Sequence, residues 1–188
     1  MTLTFLFFLF AMGAAQTPAV VAAPAQPAFQ DFATRVDNYM KVRKSVQSWL
    51  PHEKPTKKRK QIQERQAALA RAIREARPSA KQGDIFTDEI SRQFRAVIND
   101  VFQGPNARYV RKTIREGAPV KGWTLSVNAA YPEHLPLTTV PPTLLLRLPE
   151  VPNPLAYHII GRDLVLQDSE ARMVIDFIPA ALPLKAVP

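Results

Sequence analysis

The sequence predicts an α+β protein, with three or four N-terminal helices packed on a small C-terminal antiparallel meander. Three observations predict it. Apolar residues recur at spacings of three and four from Phe29 to Ile114, and from Trp123 they alternate instead. The stretch Leu155 to Ile178, LAYHIIGRDLVLQDSEARMVIDFI, divides at two turn signals into three short β-prone runs. Helical and strand-like segments are segregated along the chain, which argues against a doubly wound sheet.

Residues Leu3 to Met12 are an apolar run of ten, followed by Gly13-Ala14-Ala15. That is the pattern of a secretory signal peptide over residues 1–15, with cleavage after Ala15, although no Lys or Arg precedes the run. A membrane-spanning helix needs about 20 residues, so an anchor is the poorer reading and no span is expected after cleavage. Secreted or periplasmic localisation follows. Residues 16–28 form an uncharged Ala/Pro-rich spacer with little to pack. The chain has no cysteine, which excludes a disulfide framework, a thiolate metal site and a cysteine nucleophile. An exported protein of this kind fits a bacterial envelope better than a eukaryotic secretory route.

A single domain is expected over residues 29–178. Its first helix runs from Phe29 to Leu50, with Phe29, Phe32, Val36, Tyr39, Met40, Val46, Trp49 and Leu50 on one core stripe, and ends because Pro51 disfavours helical geometry at Leu50. Thr56 is placed to cap a second helix reaching Arg77, with Ile62, Gln66, Leu69, Ile73 and Ala76 inward. Thr87 caps a third, with Asp88 and Glu89 at its positive end and Ile90, Phe94, Val97, Ile98 and Val101 inward. Gly104-Pro105 breaks it. A fourth covers Asn106 to Glu116, with Val110 and Ile114 inward and Gly117 as its stop.

From Ala118 the period changes, and Trp123, Leu125 and Val127 alternate as in a strand. Pro132 to Pro154 holds seven prolines in 23 residues, so it cannot supply a central strand. One short helix begins there at Pro142. The meander strands are Leu155–Ile160, Asp163–Gln167 and Arg172–Ile178. Gly161-Arg162 suits a two-residue type II′ turn, which sets Tyr157 opposite Leu166 and Ile159 opposite Leu164. A turn over Asp168 to Ala171 pairs Gln167 with Arg172, setting Leu166 opposite Met173 and Leu164 opposite Ile175. Tyr157, Ile159, Leu164, Leu166, Met173, Ile175 and Phe177 then share one face, against which the helices pack. Pro179 to Pro188 is a tail.

The net charge of +9 is concentrated in one place. Residues 41–77 carry twelve Lys/Arg against Glu53, Glu64 and Glu75, which accounts for the whole excess. Lys57, Lys58, Arg59, Lys60, Arg71 and Arg74 are the candidate polyanion-binding residues. The bland reading is a solvated helix surface, since Lys60–Glu64 and Arg71–Glu75 fall at i,i+4 and the charges form a collar, not one stripe. No aromatic lies between Leu50 and Ile85, so there is no stacking platform for single-stranded nucleic acid, which is disfavoured as a partner.

Motifs for chemistry are sparse. His52, His134 and His158 are scattered, with no HExxH and no calcium loop, so no metal site is expected. The six serines lack a Gly-bounded elbow, and the six glycines stand singly, leaving no phosphate cradle and no cofactor to expect. In the expected register Asp163 and Asp176 face each other away from Tyr157, near His158. Such a pair raises one pKa or holds a cation, while turn chemistry at Asp163 is the simpler explanation. Asp163, Asp176 and His158 are therefore the only catalytic candidates.

Ala68–Thr87 (ALARAIREARPSAKQGDIFT), PPTLLLRLPEVP and YHIIGRDLVLQD together resemble a family of predicted secreted bacterial proteins to which no activity is attached. The resemblance covers most of the chain after the signal peptide and implies export and a shared fold. The Y-x-x-x-G-x-D-x-V-L-x-D pattern from Tyr157 to Asp168 is similar to C-terminal hairpins of small periplasmic nickel/cobalt-homeostasis proteins, and carries over no metal ligands. The expected function is a non-enzymatic envelope binding or structural module. It would meet an anionic polymer through residues 41–77, or a protein partner through Pro132–Pro154. The alternative is a hydrolase or metal-dependent enzyme using the Asp163/Asp176 face.

Overall fold

A computed structural model describes residues 27–51, 56–115, 124–132 and 138–183. The expected signal peptide, most of the expected spacer, His52, His134, Trp123, Gly117 and the end of the tail lie outside them. Helix α1 spans Pro27–Trp49 and buries Ala28, Phe32, Val36, Tyr39, Arg43 and Val46, one stripe at helical spacing; Trp49, expected in that stripe, is instead 74% exposed at the helix end. It ends just before Leu50-Pro51, as that dipeptide requires. Helix α2 spans Arg59–Ala76 and starts later than Thr56 would place it. Lys58 is its N-cap and makes no side-chain cap bond; the Thr56 hydroxyl instead accepts from the Lys58 amide at 3.2 Å, one step outside the helix. Only the C-terminal half of α2 is buried, through Leu69, Ala70 and Ile73. Ile62 is 38% exposed and Ala76 is exposed, so the expected stripe holds only in part.

Helix α3, Asp88–Gln103, is capped as expected, the Thr87 side chain accepting from the Ile90 amide at 3.4 Å. Ile90, Phe94, Ile98, Val101 and Phe102 are buried, with Val97 packed at the margin. Helix α4, Ala107–Arg115, turns Val110 and Ile114 inward. Among the described residues no helix is long and apolar enough to cross a membrane.

The sheet contains β1 (Thr138–Thr139), β2 (Leu155–Ile160), β3 (Asp163–Asp168) and β4 (Met173–Ile178), antiparallel in the order β1-β2-β3-β4. The proline-rich stretch thus supplies only an edge strand, followed by the short helix α5, Pro142–Leu145. The alternation from Trp123 does not become a strand over Thr124–Val127. Asn128 takes φ of +63°, and pairing with β4 begins there: its amide donates to the Val174 carbonyl at 2.9 Å, and the Tyr131 amide to that of Arg172 at 2.7 Å.

The β2–β3 register is the one the Gly161 turn specifies, with Tyr157 opposite Leu166, Ile159 opposite Leu164 and φ of +60° at Gly161. The β3–β4 register differs from expectation. Asp168 pairs with Met173 and Gln167 with Val174; beyond a bulge, Leu166 pairs with Asp176, Val165 with Phe177 and Leu164 with Ile178. Two local features cause this. Arg172 adopts φ of +48°, which takes it out of the ladder, and the Asp168 carboxylate accepts the Ala171 amide at 2.9 Å, closing a longer turn. The bulge then reverses which side each later residue faces. Phe177 leaves the helix-facing side and is only half-buried, whereas Asp176 joins that side.

The core lies between this side of the sheet and α1 and α3. Phe32 stacks on Phe86 at 5.5 Å between ring centres, and Phe94 meets Phe29, Phe32 and Phe86 edge-on at 5.1–5.5 Å. Tyr157 from β2 closes the cluster, 6.3 Å from Phe32 and 6.1 Å from Phe94.

Candidate functional site

Two aspartates on the helix-facing side of the sheet organise the polar structure of the molecule. Asp168, at the end of β3, is fully buried. One carboxylate oxygen accepts from the Tyr39 hydroxyl at 2.8 Å and from Arg43 Nε at 2.7 Å. Arg43 uses its remaining nitrogens on Gln47 Oε1, at 2.9 Å, and on the Glu170 carboxylate. Burial works against the charge of Arg43, but Asp168 and Glu170 more than restore it and hold its pKa above the ordinary value. Burial, joined by the Asp168 charge, pushes the Tyr39 phenol well up. The guanidinium of Arg77 lies over the Tyr39 ring at 5.1 Å, and burial lowers its pKa.

Asp176, in β4, is equally buried and holds a different set of groups. Oδ1 accepts from the amides of Gly83 and Phe177 at 3.0 and 2.8 Å, and Oδ2 from those of Ile85 and Phe86 at 2.7 and 2.8 Å. Burial raises its pKa and the four amides oppose the rise. Asp163 pairs with Ile160, not with Asp176, and the two lie on opposite sides of the sheet. The expected dyad is therefore not assembled; the bulge in β4 separates its members. Asp163 instead accepts the Ala180 amide at 2.7 Å, and burial raises its pKa against that bond and Arg162. Among the described residues, no three His, Cys, Asp or Glu side chains gather as a metal site.

His158 sits opposite Val165 on the other side of the sheet, buried, and neither ring nitrogen makes a hydrogen bond of full geometry, the Thr138 backbone giving only a weak polar contact. Burial lowers its pKa below 6.5, opposed by the Thr138 backbone. Because the folded pKa lies below the unfolded one, acid favours unfolding: this contribution is complete above about 6.5 and is lost as pH falls from there towards the folded value. His158→Leu is expected to flatten that part of the stability profile without loss at pH 7.5. Denaturant unfolding at pH 7.5 and 5 checks it, and an unaltered slope in the variant would refute the assignment.

The cations predicted from the sequence divide into two groups. Lys57, Lys58, Arg59 and Lys60 are exposed and surround the start of α2, with Lys58 as its N-cap and no acidic residue in the first turn. Arg71 and Arg74 are exposed further along, Arg74 reaching the Asn128 carbonyl at 3.4 Å. Beside the first group lie two clefts. The larger, about 650 Å³, runs between the end of α1, α2 and the β3–β4 turn, with Leu50, Pro51, Ile62 and Leu69 as apolar wall and Gln47 and Glu170 as polar wall. The smaller, about 250 Å³, is lined by Lys57, Arg59 and Arg172, and shares Ile62 and Gln66 with the larger.

Sequence reasoning missed Arg43, Asp168, Glu170 and Arg172 as members of this region. The basic run 41–77 includes Arg43 but gives no sign that it turns inward, and Arg172 is adjacent only through the β3–β4 turn. In comparison with known proteins, the chain matches no family model, no curated protein and no solved structure.

Proposed function

We propose that this chain is a non-enzymatic binding module of the bacterial cell envelope that engages anionic partners through the basic surface at the start of α2. The observation that carries this reading is the charge at that helix end. Lys57, Lys58, Arg59 and Lys60 crowd the positive pole of α2, where physical chemistry favours acidic residues. Helix N-termini with exposed amides and adjacent cations favour anions. An anionic partner offsets both the dipole and the mutual repulsion of the lysines. Placement in the envelope rests on the signal-peptide pattern of residues 1–15 and the resemblance to secreted bacterial proteins.

Changing Lys57, Lys58, Arg59 and Lys60 to Gln is expected to abolish salt-sensitive retention on an anionic matrix. The same variant should unfold at a higher denaturant midpoint, since repulsion at the helix end is removed. Retention that survives the substitution ends the proposal. The hydrolase reading loses the Asp163/Asp176 juxtaposition on which it stood.

A further inference from the structure

Resting on that reading, we propose that the two clefts form one binding site for a single-chain, phosphate-headed lipid. The alkyl chain occupies the larger cleft, and the phosphate lies against Lys57, Arg59 and Arg172. The clefts adjoin one another, since Ile62 and Gln66, one helical turn apart on α2, line both. The larger falls within the roughly 300–1,000 Å³ occupied by small-molecule sites. Its apolar wall includes Ile62, which is 38% exposed and would be covered by a chain.

Charge separates the two ends. The larger cleft carries both signs, with Arg65 beside two acids: Glu170 is bonded to Arg43, and Glu64 is 4.0 Å from Lys60. Among the described residues, the smaller cleft is lined by three cations and no acid. Two of those are guanidinium groups, whose forked donors match phosphate. The polar wall of the larger cleft is fixed from behind, because Gln47 and Glu170 both bond Arg43, which Asp168 holds in place. A rigid wall keeps the slot open for a chain and lowers the ordering cost of binding.

Calorimetric titration of the full chain with dodecyl phosphate below its micellar concentration, inorganic phosphate and dodecyl maltoside tests the site. Dodecyl phosphate is expected to bind once per chain, each of the other two on the order of 30-fold or more weaker. Ile62→Ser should weaken dodecyl phosphate about tenfold and leave inorganic phosphate unchanged. Arg172→Gly should weaken both phosphates; glycine suits the φ of +48° there, so the fold is retained. Equal affinity for inorganic and dodecyl phosphate, equal affinity for dodecyl maltoside, or uptake of many molecules with loss of near-UV dichroism would each overturn the site. Matrix retention by the unsubstituted chain, without dodecyl phosphate binding, overturns this site but leaves the basic-surface reading intact. Loss of both removes the two together.

Discussion

Asp168→Ala is expected to lower the unfolding free energy by about 3–5 kcal/mol, the range for removing one member of a buried ion pair. The side chain is fully buried and that of Arg43 is 6% exposed, so the guanidinium cannot regain water when its partner goes. The same substitution strips the Tyr39 hydroxyl and the Ala171 amide of their acceptor. Asp168→Asn keeps an oxygen but loses the charge and should fall between. Replacing both partners, Asp168→Leu with Arg43→Met, should recover much of the loss, because no buried charge then remains. Equilibrium denaturation of the three variants measures this, and a loss below about 1 kcal/mol for Asp168→Ala would show that Arg43 finds other solvation. Since Arg43 also holds Gln47 and Glu170, weakened ligand binding should accompany the loss of stability.

The helices were readable because each is defined by contacts at three- and four-residue spacing, which the sequence displays directly. Thr87 and Thr56 mark the boundary of that legibility. Both precede a basic or acidic amphipathic run, yet only Thr87 caps its helix, because Thr56 lies too far upstream of the start at Arg59. The first meander turn was likewise readable, since a two-residue turn at Gly161 leaves one register. The second was not. It depends on Arg172 accepting a left-handed conformation, on a carboxylate–amide bond from Asp168 to Ala171, and on a bulge, none of which has a residue signature. That one misplacement moved Asp176 from the outer side of the sheet to the core side. It also turned an apparent catalytic pair into two separate structural anchors.

The candidate site was readable only as a charge excess. Its cations come from a run that any reader would mark, but its walls come from the end of α1, from α2 and from the β3–β4 turn. The bond joining those walls links Arg43 to Asp168, 125 residues apart. Local patterns cannot announce a partner at that separation. The consequence is that the same polar network serves two ends: it fastens α1 to the sheet and shapes one wall of the cleft. Specificity of packing is a use that buried ionic groups can serve where a hydrophobic pair of equal volume would serve stability as well.

Asp176→Asn isolates the second anchor and is expected to cost about 2–4 kcal/mol, from buried donors left without acceptors. The carboxylate receives two amides on each oxygen, so every lone-pair direction that matters is used. An asparagine offers one oxygen and one NH₂ group. Whichever way it turns, two of the four backbone donors face another donor: either Gly83 and Phe177, or Ile85 and Phe86. The residues affected are not peripheral, because Phe86 stacks on Phe32 in the aromatic cluster that joins α1, α3 and β2. Gly83, at φ of +92°, makes the turn that delivers those amides, and a substituted residue there would be strained. The variant should therefore lose hydrogen-exchange protection at Ile85 and Phe86, with weaker near-UV dichroism from the cluster. Protection at Tyr157 and Leu166 in the β2–β3 ladder should decline only with global stability. Unchanged exchange at residues 83–86 would mean that the loop is held by its own packing and that Asp176 is incidental. A selective loss there would establish that one carboxylate, carried across the sheet by a single bulge, fixes the loop between α2 and α3 onto the strands.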